Sequence, residues 1–271
     1  MFSPLFVSLF SLCFSVISAL NPSASSARSA SSASRIALVQ QQIVTCTCCR
    51  RLRTYCERVA REKKRAHAAD EYWGRPVPGF GDPHARMLVL GLAPAAHGAN
   101  RTGRVFTGDG SGDFLMRALF ETGFASIPTS RRADDGLVLK DTYIAAAVRC
   151  APPDNKPLPA EIAACRSHLD AEWDALARLQ VVVALGRIAF DTALARFARS
   201  GAPVRPKPVF AHGAVFAAAD QPLLVASYHP SRQNTNTGRL TPAMLRGIFE
   251  YARAELDGNR GQTMPPDGLS G

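Results

Sequence analysis

ARMLVLGLAP, residues 85–94, is an apolar run shorter than an ordinary helix, and it ends in glycine and proline. Such a run without polar alternation belongs to a strand buried on both faces, as in the middle of a parallel sheet. Three further segments repeat the pattern: DTYIAAAV (141–148), VVVALG (181–186) and PLLVASYHP (222–230). Helical spacing separates and follows them in SGDFLMRALFETGF (111–124), PAEIAACRSHLDAEWDALARL (159–179), a span from about Ile188 to Ala198, and TPAMLRGIFEYARAELD (241–257). Ser111 is the expected N-cap of the first of these helices, and Pro159 suits the first turn of the second. Strands that alternate with helices need crossover connections. The expected fold is therefore a three-layer α/β/α domain on a mainly parallel, four-stranded central sheet. Its site belongs in the loops at the carboxyl ends of the strands.

Upstream, RRLRTYCERVAREKKRAHAADEYWG after Cys49 has helical spacing from Leu52 through Val59 and a basic solvent face. The first 56 residues contain no Asp or Glu, and residues 1–27 carry no charged side chain. PLFVSLFSLCFSVISAL (4–20) is apolar like a signal-peptide core but lacks its positive flank and is short for a membrane span. NPSASSARSASSASR (21–35) has the composition of a transit peptide, and the favoured reading is a non-functional upstream extension or a start codon assigned too early. Residues 1–35 are set outside the fold on either reading. The domain is expected over 36–258, with 259–271 a flexible tail, and organellar targeting is the less favoured alternative to an intracellular protein.

Thirty-two Lys and Arg against 22 Asp and Glu leave a net charge of +10. That excess suits a polyanion, either nucleic acid or an anionic membrane surface. Seven cysteines, at 13, 46, 48, 49, 56, 150 and 165, are an odd number and make no disulfide framework. Cys46-x2-Cys49 is a two-ligand clip that Cys150 and Cys165 could complete. Four thiolates suit zinc or an iron–sulfur cluster equally, and two buried apolar cysteines are the bland alternative. Cys48 and Cys56 have no assigned role.

Two segments exceed generic α/β punctuation: GLAPAAHGANRTGRVFTGD (91–109) and HPSRQNTNTGRLT (229–241), each after an expected strand. With YWGRPVPGFGDP (72–83) and VRCAPPDNKP (148–157), they resemble family 5 of the uracil-DNA glycosylase superfamily, the iron–sulfur type B branch. The resemblance runs from about residue 46 to 257. It implies that Cys46, Cys49, Cys150 and Cys165 hold a structural [4Fe–4S] cluster tying the amino-terminal helix to the sheet. It also implies a monofunctional glycosylase of base excision repair, acting on damaged DNA, duplex or single-stranded, as a monomer away from membranes.

A base must be flipped from its stack into a pocket before its N-glycosidic bond is reached, at a cost lowest for mismatched or damaged bases. Cleavage then develops positive charge on the sugar and negative charge on the departing base, so the site needs an anion near the first and donors near the second. The resemblance implies Asp109 for the anion, Asn155 as its partner in orienting water, His229 facing the flipped nucleotide and Phe106 stacking on the base. It further implies contacts to base or DNA from Ala93, His97, Asn100, Arg101, Arg104, Ser231, Arg232, Asn234 and Arg239. Neither principal motif holds a lysine, so hydrolysis without strand cleavage is expected.

Two departures from the wider superfamily pattern carry meaning. Gly91-Leu92-Ala93-Pro94-Ala95 lacks the acid of a G-x-D-P-Y loop, which moves the chemistry to Asp109, and Ala146 stands where the related iron–sulfur branch has a base-reading Asn. Losing that amide relaxes discrimination. The resemblance implies a pocket accepting uracil and also hypoxanthine and xanthine. The rival readings are a non-catalytic nucleic-acid-binding module with a four-cysteine metal site and a secreted hydrolase held by disulfides.

Overall fold

The computed structural model describes residues 31–202 and 204–259. The apolar head with Cys13 and all of the expected tail but Asn259 lie outside them. Six strands form one sheet: β1 (Phe80–Gly81), β2 (Met87–Gly91), β3 (Thr142–Ala146), β4 (Val181–Leu185), β5 (Val215–Phe216) and β6 (Leu223–Ser227). Their order is β1-β3-β2-β4-β6-β5. The inner four are parallel, as expected, and the two-residue edge strands pair antiparallel. Those edges had no legible signal, because two residues are too few to show a period.

The helices are α1 (Ser32–Val44), α2 (Arg50–Glu62), α3 (Ala99–Thr102), α4 (Gly110–Glu121), α5 (Pro159–Ala175), α6 (Arg187–Arg199), α7 (Arg232–Asn236) and α8 (Pro242–Leu256). Strand parity divides the core in two. Met87, Val89, Ile144, Val183 and Val225 face Leu115, Leu119, Ile248 and Phe249 of α4 and α8. Leu88, Leu90, Tyr143, Val182 and Leu224 face Ile36, Leu169, Trp173 and Phe190 of α1, α5 and α6. None of the described helices is long and apolar enough to cross a membrane.

α1 begins before residue 36, inside the segment that sequence composition set aside. Its N-cap Ser31 accepts from the Ser34 N–H, Ile36 is buried, and Gln40 Nε2 donates to the Gly79 carbonyl at 2.8 Å. Ser- and Gln-rich sequence hides the helix, whose apolar contacts are few and widely spaced.

One buried polar knot fastens β3 to α5. Glu172, fully buried, accepts from Arg149 Nη2 at 2.6 Å, from Tyr143 Oη at 3.1 Å and from the Gly79 N–H at 2.8 Å. Its carboxylate is thus satisfied from three directions, the condition under which a buried charge is tolerated. A methyl at Gly79 would stand 2.5 Å from Tyr143 Cε1, so the close approach requires glycine.

Candidate active site

The carboxyl ends of the parallel strands lie along one edge, where the two long motifs follow β2 and β6. The Ala147 and Val148 N–H groups donate to the Gly91 and Leu92 carbonyls at 3.0 Å, and the Gly186 N–H donates to the Ser227 carbonyl at 2.8 Å. The loops therefore leave the sheet as a braced set.

Asp109 is the N-cap of α4, in place of the expected Ser111, which lies within the first turn. Its backbone is extended (φ −145°, ψ 168°), and Oδ1 accepts from the Gly112 N–H at 3.0 Å. The sequence shows an Asp and a Ser that are equally good caps. Only the point where the chain enters the helix separates them. The carboxylate lies over Gly98: a methyl there would stand 2.9 Å from Asp109 Cγ and nearer still to Oδ2. Burial raises the Asp109 pKa above the usual carboxylate range, opposed by the Gly112 and Ser111 N–H groups and by Arg101, and reinforced by Asp113. The result is an acid held in place and poised to take a proton. It lines an open cleft of about 370 Å³ with Arg101, Gly108, Gly110, Asp113 and Arg131.

Three residues before Asp109, Phe106 has a left-handed backbone with φ 49°. That conformation is uncommon for a bulky residue and is held by its surroundings. Its ring passes so close over Gly91 that a methyl there would meet Cε2 at 2.7 Å, and a methyl at Gly112 would meet its carbonyl carbon at 2.7 Å. The ring lies 5.8 Å from that of His229, tilted by 32°. Burial pushes the His229 pKa down to about 4, so the imidazole is neutral at pH 7. Asn234 Nδ2 donates to the His229 carbonyl at 2.9 Å and Ser231 caps α7 through the Asn234 N–H, so these two expected DNA contacts also build the His229 turn. Behind it, buried His212 accepts the Tyr228 N–H at 3.2 Å on Nδ1, a support the sequence did not mark.

Several residues expected to touch DNA have internal partners instead. Asn100 is fully buried and donates to the Cys56 and Ala96 carbonyls, joining α3 to α2. Arg101 pairs with Asp70 at 2.7 Å and donates to the His97 and Gly108 carbonyls. Arg104, 7% exposed, bonds both carboxylate oxygens of Asp135 at 2.8 Å along with Thr107 and Ser130. These three therefore also carry structural roles, with tertiary partners taking donors that sequence shows as free. His97 Nδ1 bonds Tyr72 Oη at 3.0 Å, and half-buried Ala93 packs beside the cysteines. Arg232 and Arg239 are exposed, the latter 4.6 Å over the Tyr228 ring. Asn155 is exposed on the 3-10 turn Pro153–Asn155 with φ 56°, and no hydrogen bond among the described residues joins it to Asp109.

Cys46, Cys49, Cys56, Cys150 and Cys165 are all free thiols. Buried Cys56, Cys150 and Cys165 share an apolar cluster with Leu52, Val148 and Ala151, and Cys49 packs against it. Burial pushes the Cys46 thiol up, and neighbouring cysteines together with burial push up those of Cys49 and Cys150. Among the described residues no three His, Cys, Asp or Glu side chains are close enough to grip a single metal ion. The donor set itself, four free thiols of which Cys46 and Cys49 lie at the entry to α2, Cys150 follows β3 and Cys165 is on α5, suits an iron–sulfur group by ligand type.

A larger cleft of about 590 Å³ lies by α6, lined by Leu194, Ala195, Ala198 and Val204 and by the ion-paired Asp191 and Lys207. It lacks a convergent acid and aromatic pair, which leaves the Asp109 cleft as the candidate site. Of the residues that matter there, Gly98, Asp113 and Arg131 were not singled out from the sequence. Gly98 had a signal, an unexplained glycine inside the first motif; the other two read as ordinary helix and loop charges.

Residues 78–253 match the model of the uracil DNA glycosylase superfamily. A type-5 uracil-DNA glycosylase of Mycobacterium bovis is 50% identical over 212 residues, 78% of each chain. That of Thermus thermophilus is 49% identical over 215 residues, 79% of this chain and 94% of its own. A type-4 uracil-DNA glycosylase of Archaeoglobus fulgidus is 34% identical over 114 residues, 42% of this chain and 49% of its own.

Proposed function

This chain belongs to the uracil DNA glycosylase superfamily and is a uracil-DNA glycosylase of base excision repair, and we propose that it works by hydrolysis alone with Asp109 as the catalytic anion. The carrying observation is the half-buried Asp109 carboxylate, fixed over Gly98 and lining a cleft three residues from the Phe106–His229 ring pair.

The sequence of events follows from these groups. A flipped uracil stacks on Phe106, whose strained backbone keeps the ring over Gly91. As the glycosidic bond lengthens, the base gains negative charge, which neutral His229 stabilises as a hydrogen-bond donor without first losing a proton. Asp109, ionised, faces the positive sugar and orients the attacking water. Its raised pKa lets it receive the proton that water gives up, leaving an abasic site. The absence of lysine from both motifs supports hydrolysis without strand cleavage. Ala146 at the end of β3 removes an amide from the base-reading edge, which supports hypoxanthine and xanthine as further substrates.

Cys46, Cys49, Cys150 and Cys165 would hold a [4Fe–4S] cluster, a reading supported by four free thiols, three of which share or border one apolar cluster. When bound, the cluster supplies a structural cross-link and no redox step. Arg232 and Arg239, exposed at the second motif, are the phosphate contacts of the expected set that retain free access.

The test is to incubate the chain with labelled duplex and single-stranded oligonucleotides carrying one uracil, hypoxanthine, xanthine or normal base, then treat with alkali. Strand breaks only after alkali and only at lesions are expected, and Asp109→Asn should retain DNA binding while losing release. Base release undiminished in Asp109→Asn would remove the carboxylate from the mechanism.

A further inference from the structure

The stretch SRRADDG, residues 130–136, belongs to neither long motif, yet it is bolted to the first of them. Thr107 and Ser130 are both fully buried, with their hydroxyls 2.6 Å apart. The Gly108 N–H donates to the Ser130 carbonyl at 2.8 Å, and Arg104 joins the two segments through Asp135, Ser130 and the Ala133 carbonyl. Asp135 Oδ2 also accepts the Arg131 N–H at 2.8 Å. The backbone of Arg131 is therefore fixed relative to Asp109 by a buried network.

Its side chain is treated differently. Arg131 is exposed and lines the Asp109 cleft, and among the described residues no hydrogen bond or ion pair engages its guanidinium. The other cation of that cleft, Arg101, is consumed by Asp70 and two carbonyls, and neighbouring Arg132 is paired with Asp134. The cleft also holds two carboxylates, Asp109 and Asp113. A phosphodiester drawn in beside them meets repulsion unless a cation stands at the rim, and a guanidinium offers two parallel donors to its oxygens.

Resting on the reading of this cleft as the site of base release, we infer that Arg131 is a substrate-binding residue that takes a backbone phosphate next to the flipped nucleotide. The 130–136 turn is then a second wall of the DNA site, rigidly held by Arg104, whose own donors are turned inward.

The test compares full-length wild type, Arg131→Ala and Arg132→Ala in binding a duplex with a stable abasic-site analogue over a range of salt. Arg131→Ala should bind roughly tenfold more weakly, and its log–log salt slope should fall by about one phosphate equivalent. Arg132→Ala should leave the slope unchanged. Methylphosphonate linkages placed singly around a uracil give the second readout: one position should slow the wild type, and Arg131→Ala should be insensitive there. An unchanged slope in Arg131→Ala, or an equal fall in Arg132→Ala, overturns the inference. Uracil release by the wild type in the same series tests the enzymatic premise separately, since the salt slope needs no turnover.

Discussion

Gly98→Ala probes the Asp109 carboxylate without touching its chemistry. The added methyl would stand 2.9 Å from Asp109 Cγ and 3.3 Å from Ala95 Cβ. Carbon atoms prefer about 3.5–4.0 Å, so the carboxylate must retreat by roughly 1 Å or rotate away. Rotation forfeits the 3.0 Å bond from the Gly112 N–H, the cap of α4. Cap loss costs about 0.5–2 kcal/mol of stability. A displacement of that size from productive geometry costs about 100-fold in rate, close to 2.7 kcal/mol of barrier. Single-turnover uracil release, read by alkali cleavage, should therefore fall about 100-fold, while binding to an uncleavable duplex is preserved. Gly247→Ala, which meets nothing within 4 Å, is the control and should release uracil at the wild-type rate. A Gly98→Ala protein that folds and cleaves at the wild-type rate would refute the assignment of Asp109 to this position.

The raised pKa of Asp109 sets the pH dependence: the working form is ionised, so single-turnover release should be lost as pH falls through a value above the ordinary Asp range. His229, near 4, should add no inflection at its usual 6.5, and a limb there that disappears in His229→Ala would contradict a neutral imidazole. A group whose folded pKa is raised favours the folded state below its unfolded pKa and opposes it as pH climbs past the folded value. Asp109→Asn keeps a capping side chain and removes that penalty, so thermal melts above neutrality should show no loss of stability; a large drop would mean the carboxylate is chiefly structural. Glu172→Ala strands Arg149 without its buried partner and should cost about 3–5 kcal/mol, lowering Tm by roughly 6 °C or more; a melt within a degree of wild type would refute the knot between β3 and α5. Cys150→Ala and Cys165→Ala should each lower bound iron and sulfide and the melting temperature together, and undiminished iron in both would exclude these thiols as ligands.

Much of this was legible along the chain. Apolar runs of strand length bounded by Gly and Pro marked β2, β3, β4 and β6 because an inner parallel strand buries both faces, and the helical period marked the helices packed on them. The motifs containing Asp109, Phe106 and His229 were readable as continuous strings, since each loop carries its residues in order from one strand end. α1 was missed because its anchoring partners, Gly79 and Ala175, are distant in sequence.

Residue type and order thus determined the layered fold and the family and singled out Asp109 as the proposed acid, because local period and motif are properties of neighbours on the chain. Which donors remain free is a property of neighbours in space. Arg101, Arg104 and Arg131 have the same side chain, and sequence gives no sign of which is free. Packing pairs half-buried Arg101 with Asp70 and buried Arg104 with Asp135 and leaves the third at the cleft rim, because guanidinium groups drawn from water must find carboxylates and carbonyls while an exposed one is served by water. The same holds for Asp109: sequence supplies a carboxylate, and the bare α-carbon of Gly98 lets it lie against the backbone at the wall of the cleft.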